Sequence, residues 1–284
     1  MRSAFTLPAM AALASSVAQA IQPNLLVFTK TSGYRHLRYI HFHSTFLDTD
    51  FYISIPHGIN LISSIADAKQ WTVTATEDSS IFTKEGLSPF TTLVFISTTG
   101  DFLNASESDA LHEFLQNGGS WLGIHATGDF GNGMPDWYNT LVGGQFASHP
   151  CWIDEICSPA QVASYPPDGT IRPDTVNITD ATHPSTRGLP VSQLRTDEWY
   201  SYKTNPTQDA TYHVLAEINE DYIDANSPAL LRMTPEHPIS WYSMFEGKSR
   251  AWYTGMGHTN ESYTEDYFVK HVTGGLEWVT GLEN

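Results

Sequence analysis

One stretch of the sequence decides the fold: residues 118–150 read Gly-Gly-Ser-Trp-Leu-Gly-Ile-His-Ala-Thr-Gly-Asp-Phe-Gly-Asn-Gly-Met-Pro-Asp-Trp-Tyr-Asn-Thr-Leu-Val-Gly-Gly-Gln-Phe-Ala-Ser-His-Pro. An amphipathic segment ends at the glycine pair and residues 120–124 form a short apolar run, which predicts a helix followed by a buried strand. His125 follows that strand directly. Because the carboxyl ends of the strands face the ligand crevice in α/β sheets, His125 is a candidate site residue. A core histidine bonded to a neighbouring carbonyl is the alternative.

Strand and helix patterns alternate through the first half of the chain. Residues 24–29, 72–77 and 91–97 are short β-forming runs, and turn residues bound them, which predicts strands. Residues 54–68 and 106–115 carry apolar side chains near helical spacing, which predicts helices. This alternation is typical of an α/β fold with a mostly parallel central sheet and helices on both faces.

The second half predicts further strands around a loop-rich segment. Residues 157–187 are rich in Pro, Asp and Thr and are expected to form long loops with edge strands that cover the sheet. Residues 212–217 predict a strand, and residues 239–242 and 250–254 predict a pair of strands joined by a glycine turn. Apolar positions in residues 264–279 predict a closing helix.

The first 20 residues have the features of a secretory signal. Arg2 precedes an apolar run, and Ala18-Gln19-Ala20 has the small-residue pattern of a signal peptidase site, so we expect cleavage after Ala20. No later segment approaches the roughly 20 apolar residues that a transmembrane helix needs. Hydrophobic residues make up 40% of the 284-residue chain, and residues 21–284 are expected to form a single domain. The sequence therefore predicts a secreted, extracellular protein.

Two further features agree with export. Asn104, Asn177 and Asn260 each begin an Asn-x-Ser/Thr sequence, which predicts glycosylation sites in a eukaryotic secretory pathway. Cys151 and Cys157 are the only cysteines, and an oxidising compartment favours a local disulfide between them, with two unrelated buried thiols as the alternative. Nothing supplies the second half of a cysteine-rich zinc site.

The charge balance limits the partners of the protein. The chain has 31 acidic and 14 basic residues, and its formal net charge is −17. Such a surface repels phosphate backbones, so neither nucleic acid nor an anionic membrane is an expected partner. A small-molecule or oligosaccharide substrate is compatible with this charge, and the oligomeric state is left open.

Two polar residues follow the first predicted strand. Arg35 offers a planar fork for carboxylate or hydroxyl groups, and His36 can titrate or bind a metal. A solvated loop is the alternative. Residues 37–53, which come next, are crowded with aromatic residues and show neither the period of a strand nor that of a helix.

The chain resembles the ThuA-like (trehalose-utilisation) family, whose fold is similar to the flavodoxin-like and class I glutamine amidotransferase-like three-layer sandwich. The resemblance covers nearly everything from residue 25 to residue 281, and seven ordered segments carry it: 33–36 (Gly-Tyr-Arg-His), 118–126, 148–150 (Ser-His-Pro), 183–189, 196–200 (Thr-Asp-Glu-Trp-Tyr), 237–241 and 257–259 (Gly-His-Thr). The family pattern runs from Arg-His through an Asp into Ser-Ile, whereas residues 37–53 intervene here. We hypothesise that this insertion is a translated intron, and an mRNA that retains the segment would refute the idea.

The resemblance places a histidine where the related amidotransferases carry a nucleophilic cysteine. Those enzymes have a Gly-x-Cys pattern on a strand-to-helix elbow, and Gly123-Ile124-His125 resembles it here. Because that position has no thiol, an acyl-thioester mechanism and a glutaminase activity are disfavoured. His258 and Glu261 resemble the His and Glu partners of that triad, although their spacing differs by one residue.

A cleft at the strand ends is expected to collect titratable and aromatic residues. Imidazoles beside carboxylates exchange protons near neutral pH, and two histidines with a carboxylate can hold a divalent metal such as zinc. Aromatic rings with charged groups suit a sugar. The expected catalytic residues are His125, His258, Glu198 and Asp197, the expected substrate-binding residues are Arg35, His36, His149, Trp199, Tyr200, Trp241 and Glu261, and the candidate metal ligands are His125, His149 and His258.

Some of these residues have structural alternatives. Asp197 and Glu198 could cap a helix or bind a backbone amide, and the pairs His183-Pro184 and His237-Pro238 are more typical of turns than of ligands. Trp199 and Trp241 are the kind of residue that is more often found in a core than on a sugar platform.

These observations predict a secreted enzyme that acts on a carbohydrate or a keto-sugar derivative. His125 and His258 are expected to be its acid–base groups, with Glu198 and Asp197 orienting them or binding hydroxyl groups. A carbohydrate-binding protein without catalysis and a metal-dependent hydrolase are the two alternatives. No cofactor is required by the first hypothesis, whereas the last one requires a metal such as zinc.

Overall fold

The computed structural model describes residues 22–35, 54–151, 157–166, 168–225 and 227–282. The strands are β1 (Asn24–Phe28), β2 (Thr72–Thr76), β3 (Thr92–Ile96), β4 (Ser120–Ile124), β5 (Phe146–Ser148), β6 (Arg172–Ile178), β7 (Ser192–Asp197), β8 (Ser201–Tyr202), β9 (Tyr212–Ile218), β10 (Pro238–Phe245) and β11 (Ser249–Thr254). The helices are α1 (Ser54–Lys69), α2 (Lys84–Leu87), α3 (Ala105–Gln116), α4 (Asp136–Val142), α5 (Pro159–Ser164) and α6 (Asp266–Val279). The expected signal segment 1–20, His36 and the insertion 37–53 lie outside the described residues.

Nine of these strands form one sheet in the order β2-β1-β3-β4-β11-β10-β9-β6-β7. The pairs from β2 to β11 are parallel, whereas every pair from β11 to β7 is antiparallel. Strands β5 and β8 form a separate antiparallel pair. The predicted α/β fold with a parallel centre is confirmed, and an antiparallel half extends it.

The strand directions bring distant parts of the chain to one edge of the sheet. Strand β11 is parallel to β4, and four antiparallel steps lead from β11 through β10, β9 and β6 to β7. The strand direction reverses at each step, so β9 runs in the same direction as β11. Strand β7, which follows β6 in the sheet, also runs in that direction. The residues that follow β4, β7 and β11 therefore leave the sheet at its carboxyl edge.

The core forms two layers, one on each face of the sheet. Leu25 and Val27 of β1 pack with side chains of α1 and α6, while Leu26 and Phe28 of the same strand pack with side chains of α3 and α4. All four side chains are fully buried. The alternation along β1 is the period of two that a strand imposes, and it gives the three-layer arrangement of helices, sheet and helices.

The helix before the decisive stretch begins and ends where the sequence predicts. The Asn104 side chain accepts a hydrogen bond from the Glu107 amide at 3.0 Å, and Glu107 accepts one from the Asn104 amide at 2.8 Å, which is a capping box at the start of α3. Gly118 has a φ of +89°, a conformation that glycine adopts at little cost, and it turns the chain from α3 towards β4.

The predicted strand pair near the carboxyl end is confirmed as the hairpin β10–β11. In contrast, β7 carries no signal that predicts a strand of the main sheet. Its buried positions include Arg195 and Asp197, whose side chains lie 3.7 Å apart, so an ion pair replaces the apolar alternation that marks most strands. Across the described ranges, no helix has the length and apolar character needed to cross a bilayer.

Candidate active site

Strand β4 ends in a sharp turn at His125. The backbone of His125 has a φ of +53°, in the left-handed region that residues other than glycine rarely adopt, and a 3₁₀ turn begins there. The Tyr253 hydroxyl donates a hydrogen bond of 2.8 Å to the His125 carbonyl and holds this turn. Such backbone strain costs on the order of 1–3 kcal/mol and is concentrated at functional sites. His125 therefore occupies a strand-to-turn elbow at the carboxyl edge of the sheet.

The two ring nitrogens of His125, which is fully buried, have different partners. Nδ1 lies 2.9 Å from the Gly255 carbonyl, and because a carbonyl only accepts, Nδ1 carries the proton. Nε2 lies 3.1 Å from Nδ1 of His258 and 3.2 Å from the Tyr200 hydroxyl. In the neutral ring, the Gly255 carbonyl thus fixes the tautomer that turns an acceptor nitrogen towards the other site residues.

Glu198 directly follows β7 and its side chain is buried. Its Oε2 atom lies 3.0 Å from Nδ1 of His258 and 3.4 Å from Nε2 of His125. Its Oε1 atom lies 3.6 Å from Nε2 of His149. Burial opposes the charge of this carboxyl group, but the three imidazoles outweigh it and hold the pKa of Glu198 well below its usual range. Glu198 is therefore a buried carboxylate among three histidines.

His258 lies in the loop after β11, and 24% of its side chain is exposed. Burial lowers the pKa of this imidazole, but the Glu198 carboxylate, with further contributions from Asp197 and Asp168, outweighs burial and raises the pKa above its usual value. The sign follows from charge, because a carboxylate 3.0 Å away favours the imidazolium form. His258 and Glu198 therefore form a histidine–carboxylate pair with one partly exposed member.

Three donor atoms of this cluster lie close enough to share one ligand. A ring nitrogen of His125, a ring nitrogen of His258 and a carboxylate oxygen of Glu198 lie within 4.8 Å of one another. Within the described part of the chain, Oε2 of Glu198 has no hydrogen-bond partner of good geometry. A buried carboxylate oxygen without a hydrogen bond is costly unless a ligand or a proton donor compensates it. The donor set suits a divalent metal and also suits proton exchange.

Asp197, expected among the catalytic residues, does not reach the cavity. Its fully buried carboxylate accepts hydrogen bonds from the amides of Gly257, His258 and Glu198 at 2.9 to 3.0 Å, and from the Ser262 hydroxyl at 3.2 Å. The physical reason is that these backbone amides need an acceptor, and the Asp197 carboxylate supplies it at the strand ends. Asp197 therefore ties the loop after β11 to the end of β7 and positions Glu198 and His258.

His149 follows β5 and precedes the two cysteines. Its Nδ1 atom lies 2.9 Å from the carbonyl of the next residue. Cys151 and Cys157 are joined in a disulfide, and a guanidinium nitrogen of the buried Arg172 lies 3.5 Å from Cys151 Sγ. The disulfide starts two residues after His149, so it restrains the wall of the cavity that this histidine forms.

A cavity of about 140 Å³ lies beside the cluster. His258 and Glu198 line this cavity, whereas His125 does not. The residues that line the cavity are Tyr34, Asp129, Phe146, His149, Asp168, Thr170, Glu198, Tyr200 and His258. Sequence reasoning did not propose Tyr34, Asp129, Phe146, Asp168 or Thr170. For Asp129 a signal was present, because this carboxyl group follows His125 by four positions at the end of the same strand.

The two tryptophans expected to bind substrate belong to the core instead. Trp199 is fully buried and its ring nitrogen donates to the Arg172 carbonyl at 2.7 Å, while Trp241 is 1% exposed and donates to the Val142 carbonyl at 2.7 Å. A buried indole with its only donor satisfied by the backbone has nothing to offer a ligand. Tyr200, by contrast, lines the cavity as expected.

Arg35 and Glu261 also lie away from the cavity. The Arg35 guanidinium forms a bidentate pair with Glu77, at 2.6 and 3.1 Å, because that carboxylate at the end of β2 is its nearest partner. Glu261 is exposed at the start of a 3₁₀ turn. The carboxylate that contacts His258 is Glu198, and Glu261 is not among the residues that line the cavity.

The three Asn-x-Ser/Thr asparagines occupy different environments. Asn104 is exposed and uses its side-chain oxygen to cap α3. Asn177 lies in β6 and its side-chain nitrogen donates to the Asn219 side chain at 2.7 Å. The side-chain oxygen of Asn260 is buried, and no described residue bonds to it. Glycosylation of these positions stays a prediction.

Fold and elbow together define a class of protein. The sheet with a parallel centre and helices on both faces is that of a three-layer α/β protein, and His125 stands on the turn that follows β4. Within that class the chain belongs to the ThuA family, described as trehalose utilisation, because the family model matches residues 24–279. No curated protein matches the sequence.

Solved structures of similar fold agree with this assignment. A ThuA-like protein from Bacteroides uniformis ATCC 8492 is 19% identical, with a TM-score of 0.67 over 94% of this chain and 95% of that one. A ThuA-like protein from Parabacteroides merdae ATCC 43184 is 17% identical, with a TM-score of 0.61 over 92% and 90%. The β-galactosidase of Rahnella sp. R3 is 10% identical, with a TM-score of 0.51 over 93% of this chain and 32% of that one. At such identities the similarity shows the fold alone.

Proposed function

We propose that this ThuA-family protein is a secreted enzyme that acts on a carbohydrate or a keto-sugar derivative by acid–base chemistry. The observation that carries the proposal is the convergence of His125, Glu198 and His258 within 4.8 Å beside a cavity. These residues follow three different strands and are far apart in the sequence. A strained elbow, a buried carboxylate and a partly exposed imidazole in one place are features of active sites.

Each member of the cluster has a role that its position supports. His258 lines the cavity, so it takes a proton from the substrate or from water and returns it later. The Glu198 carboxylate stabilises the imidazolium that forms, as a carboxylate does beside the histidine of a catalytic triad. His125 lies beneath both and positions them through its contacts of 3.1 and 3.4 Å.

The cavity lining suits a polyhydroxylated ligand. The carboxyl groups of Asp129 and Asp168, the Thr170 hydroxyl and the aromatic rings of Tyr34 and Tyr200 face the cavity. Carboxylates and hydroxyls bind sugar hydroxyl groups, and aromatic rings pack against the C–H faces of a sugar. The substrate class is supported by this chemistry and by the family description.

Turnover of a sugar panel by wild type and by His125→Ala tests the proposal. We expect the mature protein to convert at least one member of a panel of disaccharides and their keto derivatives. His125→Ala is expected to abolish that turnover while sugar binding, measured by calorimetry, persists, because His125 does not line the cavity. Binding without turnover in the wild type would instead identify a carbohydrate-binding protein.

Metal-dependent hydrolysis is a second candidate function, and the Oε2 atom of Glu198 favours it. That buried oxygen has no hydrogen-bond partner among the described residues, yet it faces ring nitrogens of His125 and His258. Two histidines and one glutamate form a known ligand set of catalytic zinc, and the donors here fit it. When bound, zinc supplies a Lewis acid that activates water.

Elemental analysis separates the two candidates. The metal-dependent reaction predicts about one zinc per chain in the purified protein and loss of turnover after chelation, with recovery when zinc is added. Turnover that survives exhaustive chelation, in protein with no bound metal, would exclude this second candidate and leave acid–base chemistry by the side chains.

Secretion is part of the proposal because of the sequence of residues 1–20. We expect expression with its own leader in a eukaryotic host to deliver the protein to the medium, with Ile21 as the new amino terminus. Amino-terminal sequencing of the secreted protein checks this expectation. Retention of residues 1–20 in a cell-associated protein would contradict it.

A further inference from the structure

Asp129 lines the cavity, and the proposed function gives it a part in sugar binding but none in the chemical step. It follows the 3₁₀ turn that His125 begins, and its backbone is fixed on both sides. Its amide donates to the Ala126 carbonyl at 2.8 Å, and its carbonyl accepts from the Gly100 amide at 2.9 Å. The side chain, held by this backbone, faces the same cavity as Glu198 and His258.

The side chain of Asp129 lacks the partners that buried carboxylates usually have. Among the described residues, none donates a hydrogen bond to its carboxyl group, and none forms an ion pair with it within 4.0 Å. The carboxyl is only partly exposed. A carboxylate in this position gives up solvent and gains no donor in return, which raises the pKa of Asp129.

The charged groups around Asp129 act in opposite directions. Burial raises its pKa and is the largest effect, and the Glu198 carboxylate raises it further. His149, His125 and Lys203 lower it, but burial prevails and the pKa of Asp129 lies above its ordinary value. The pKa of Glu198 lies well below its ordinary value. The pKa values of two carboxyl groups in one cavity are thus shifted in opposite directions. Known active sites divide the acid and base roles between two groups in this way.

We infer that Asp129 is the proton donor of this site, acting on the substrate oxygen whose bond breaks. This inference rests on the proposed function and adds a second catalytic residue to it. Three observations support this inference. Asp129 lines the cavity, hydrogen bonds hold its backbone on both sides, and no described residue donates a hydrogen bond to its carboxyl group. Glu198 cannot fill this role, because three imidazoles hold it as a carboxylate.

The step balances for hydrolysis of a bond between a sugar carbon and oxygen. His258 takes one proton from water as the water oxygen bonds to the sugar carbon. The old carbon–oxygen bond breaks, its electron pair stays with the departing oxygen, and that oxygen takes the proton of Asp129. One water is consumed and two hydroxyl products form. The proton on His258 then returns to the Asp129 carboxylate through solvent, which restores both groups.

Kinetics of Asp129→Asn on two substrates test the inference. The first is the disaccharide derivative that the wild type converts, and the second carries the same sugar on 4-nitrophenol, a leaving group that departs without protonation. We expect kcat for the first substrate to fall roughly 10²–10⁴-fold, the usual contribution of a general acid, with KM little changed. The loss for the second substrate is expected to be much smaller. Asp109→Asn, an exposed position on α3, is the matched control and keeps full activity.

The outcomes separate the two proposals. Turnover by the wild type together with undiminished kcat in Asp129→Asn overturns the inference and leaves the proposed function in place. An equal loss on both substrates also overturns it, because a structural defect does not depend on the leaving group. A wild type that converts no sugar overturns both proposals. Urea unfolding checks that Asp129→Asn is folded.

A second measurement needs no variant. The carboxyl carbon of Asp129 in ¹³C-labelled wild-type protein is followed by NMR as the pH is varied. We expect its midpoint to lie above the value of about 3.9 that an ordinary aspartate shows. A midpoint at or below that value would show that the site does not hold this proton more tightly than an ordinary aspartate does, and it would overturn the inference.

Discussion

His125 and His271 are both fully buried histidines, yet the structure gives them opposite roles. Each ring has one nitrogen next to a backbone carbonyl at 2.9 Å, that of Gly255 for His125 and that of Ser185 for His271. The difference lies in the second nitrogen. In His271 it lies 3.0 Å from the Ser240 hydroxyl, inside the core under α6. In His125 it faces a charged pair at the edge of the sheet.

This difference shows that burial alone does not distinguish a functional histidine from a structural one. The ring of His271 is satisfied by neutral groups and has no route to solvent, so it contributes to packing and hydrogen bonding. The second nitrogen of His125 meets His258 and Glu198, whose other sides line a cavity. The environment of the second ring nitrogen therefore distinguishes His125 from His271. Substitutions at the site of His125 should affect turnover, whereas a substitution of His271 should affect stability.

The largest expected effect is on turnover, from Glu198→Gln. The amide keeps the shape of the side chain but removes the charge that stabilises the His258 imidazolium, so kcat should fall roughly 10²–10⁴-fold. Steady-state kinetics on the substrate found in the panel measure this change. Glu261→Gln is the matched control, because that glutamate is exposed and remote from the cavity, and it should keep wild-type kcat. Equal losses in the two variants would remove Glu198 from the mechanism.

Asp197→Asn should reduce stability and turnover together. The substitution removes the charge that pairs with Arg195 and places an NH₂ group against amides that need an acceptor. Breaking a buried pair of this kind costs about 3 kcal/mol of the free energy of unfolding. Urea unfolding measures the loss, and kcat should fall in the part of the protein that stays folded. Wild-type stability with full activity would show that Asp197 does not position the site.

His271→Gln should affect stability and leave kcat unchanged. The pKa of His271 is lowered to about 3, first by burial and then by Arg195 and His183, against the opposing effect of the Ser185 carbonyl. Between pH 6.5, the usual value for an unfolded histidine, and pH 3 the unfolded chain binds a proton that the folded one does not. Wild-type stability must therefore fall as the pH falls through this window, by up to about 1 kcal/mol per pH unit from this residue.

Unfolding in urea at pH 7, 6, 5 and 4 checks this prediction. The variant should lose roughly 1–3 kcal/mol at pH 7 because hydrogen bonds inside the core are weakened. It should then show a smaller decrease of stability with falling pH than the wild type, since glutamine does not titrate. Parallel curves for the two proteins would mean that His271 does not have the lowered pKa, and a loss of kcat at pH 7 would break the comparison with His125.

The smallest effect is expected from Trp241→Phe. The indole donates to the Val142 carbonyl within the core, so losing that hydrogen bond should cost about 1 kcal/mol of stability. Sugar affinity by calorimetry should equal that of the wild type. Weaker sugar binding without a change in stability would show that Trp241 binds the substrate, as the sequence alone predicted.

Much of the fold could be predicted because its signals are local. The strands β1, β3 and β4 coincide with apolar runs in the sequence, and the capping residue Asn104 directly precedes α3. Strand β7 could not be recognised, because it is stabilised by the Arg195–Asp197 pair and by contacts of high sequence separation. No local pattern predicts that β7 runs in the same direction as β4 after four reversals.

The sequence predicted which types of residue form the candidate site, but it identified only some of the particular residues. His125, Glu198 and His258 follow strands and converge as expected, because strand ends of one direction meet at one edge. Trp199 was misplaced since its aromatic character suits a core and a sugar platform equally well. Asp129 was missed although it follows His125 by four positions, because sequence spacing does not reveal that no described residue donates a hydrogen bond to its carboxyl group.

Histidine ring signals in the NMR spectrum of ¹⁵N-labelled protein test the central claim most directly. The protein is titrated with the panel sugar that binds most tightly, and the ring nitrogens of each histidine are followed. The account predicts that the signals of His258 and His149 move on binding while those of His271 stay in place. Saturated sugar binding that leaves His258 and His149 unchanged would contradict the claim that this cluster is where the protein meets its substrate.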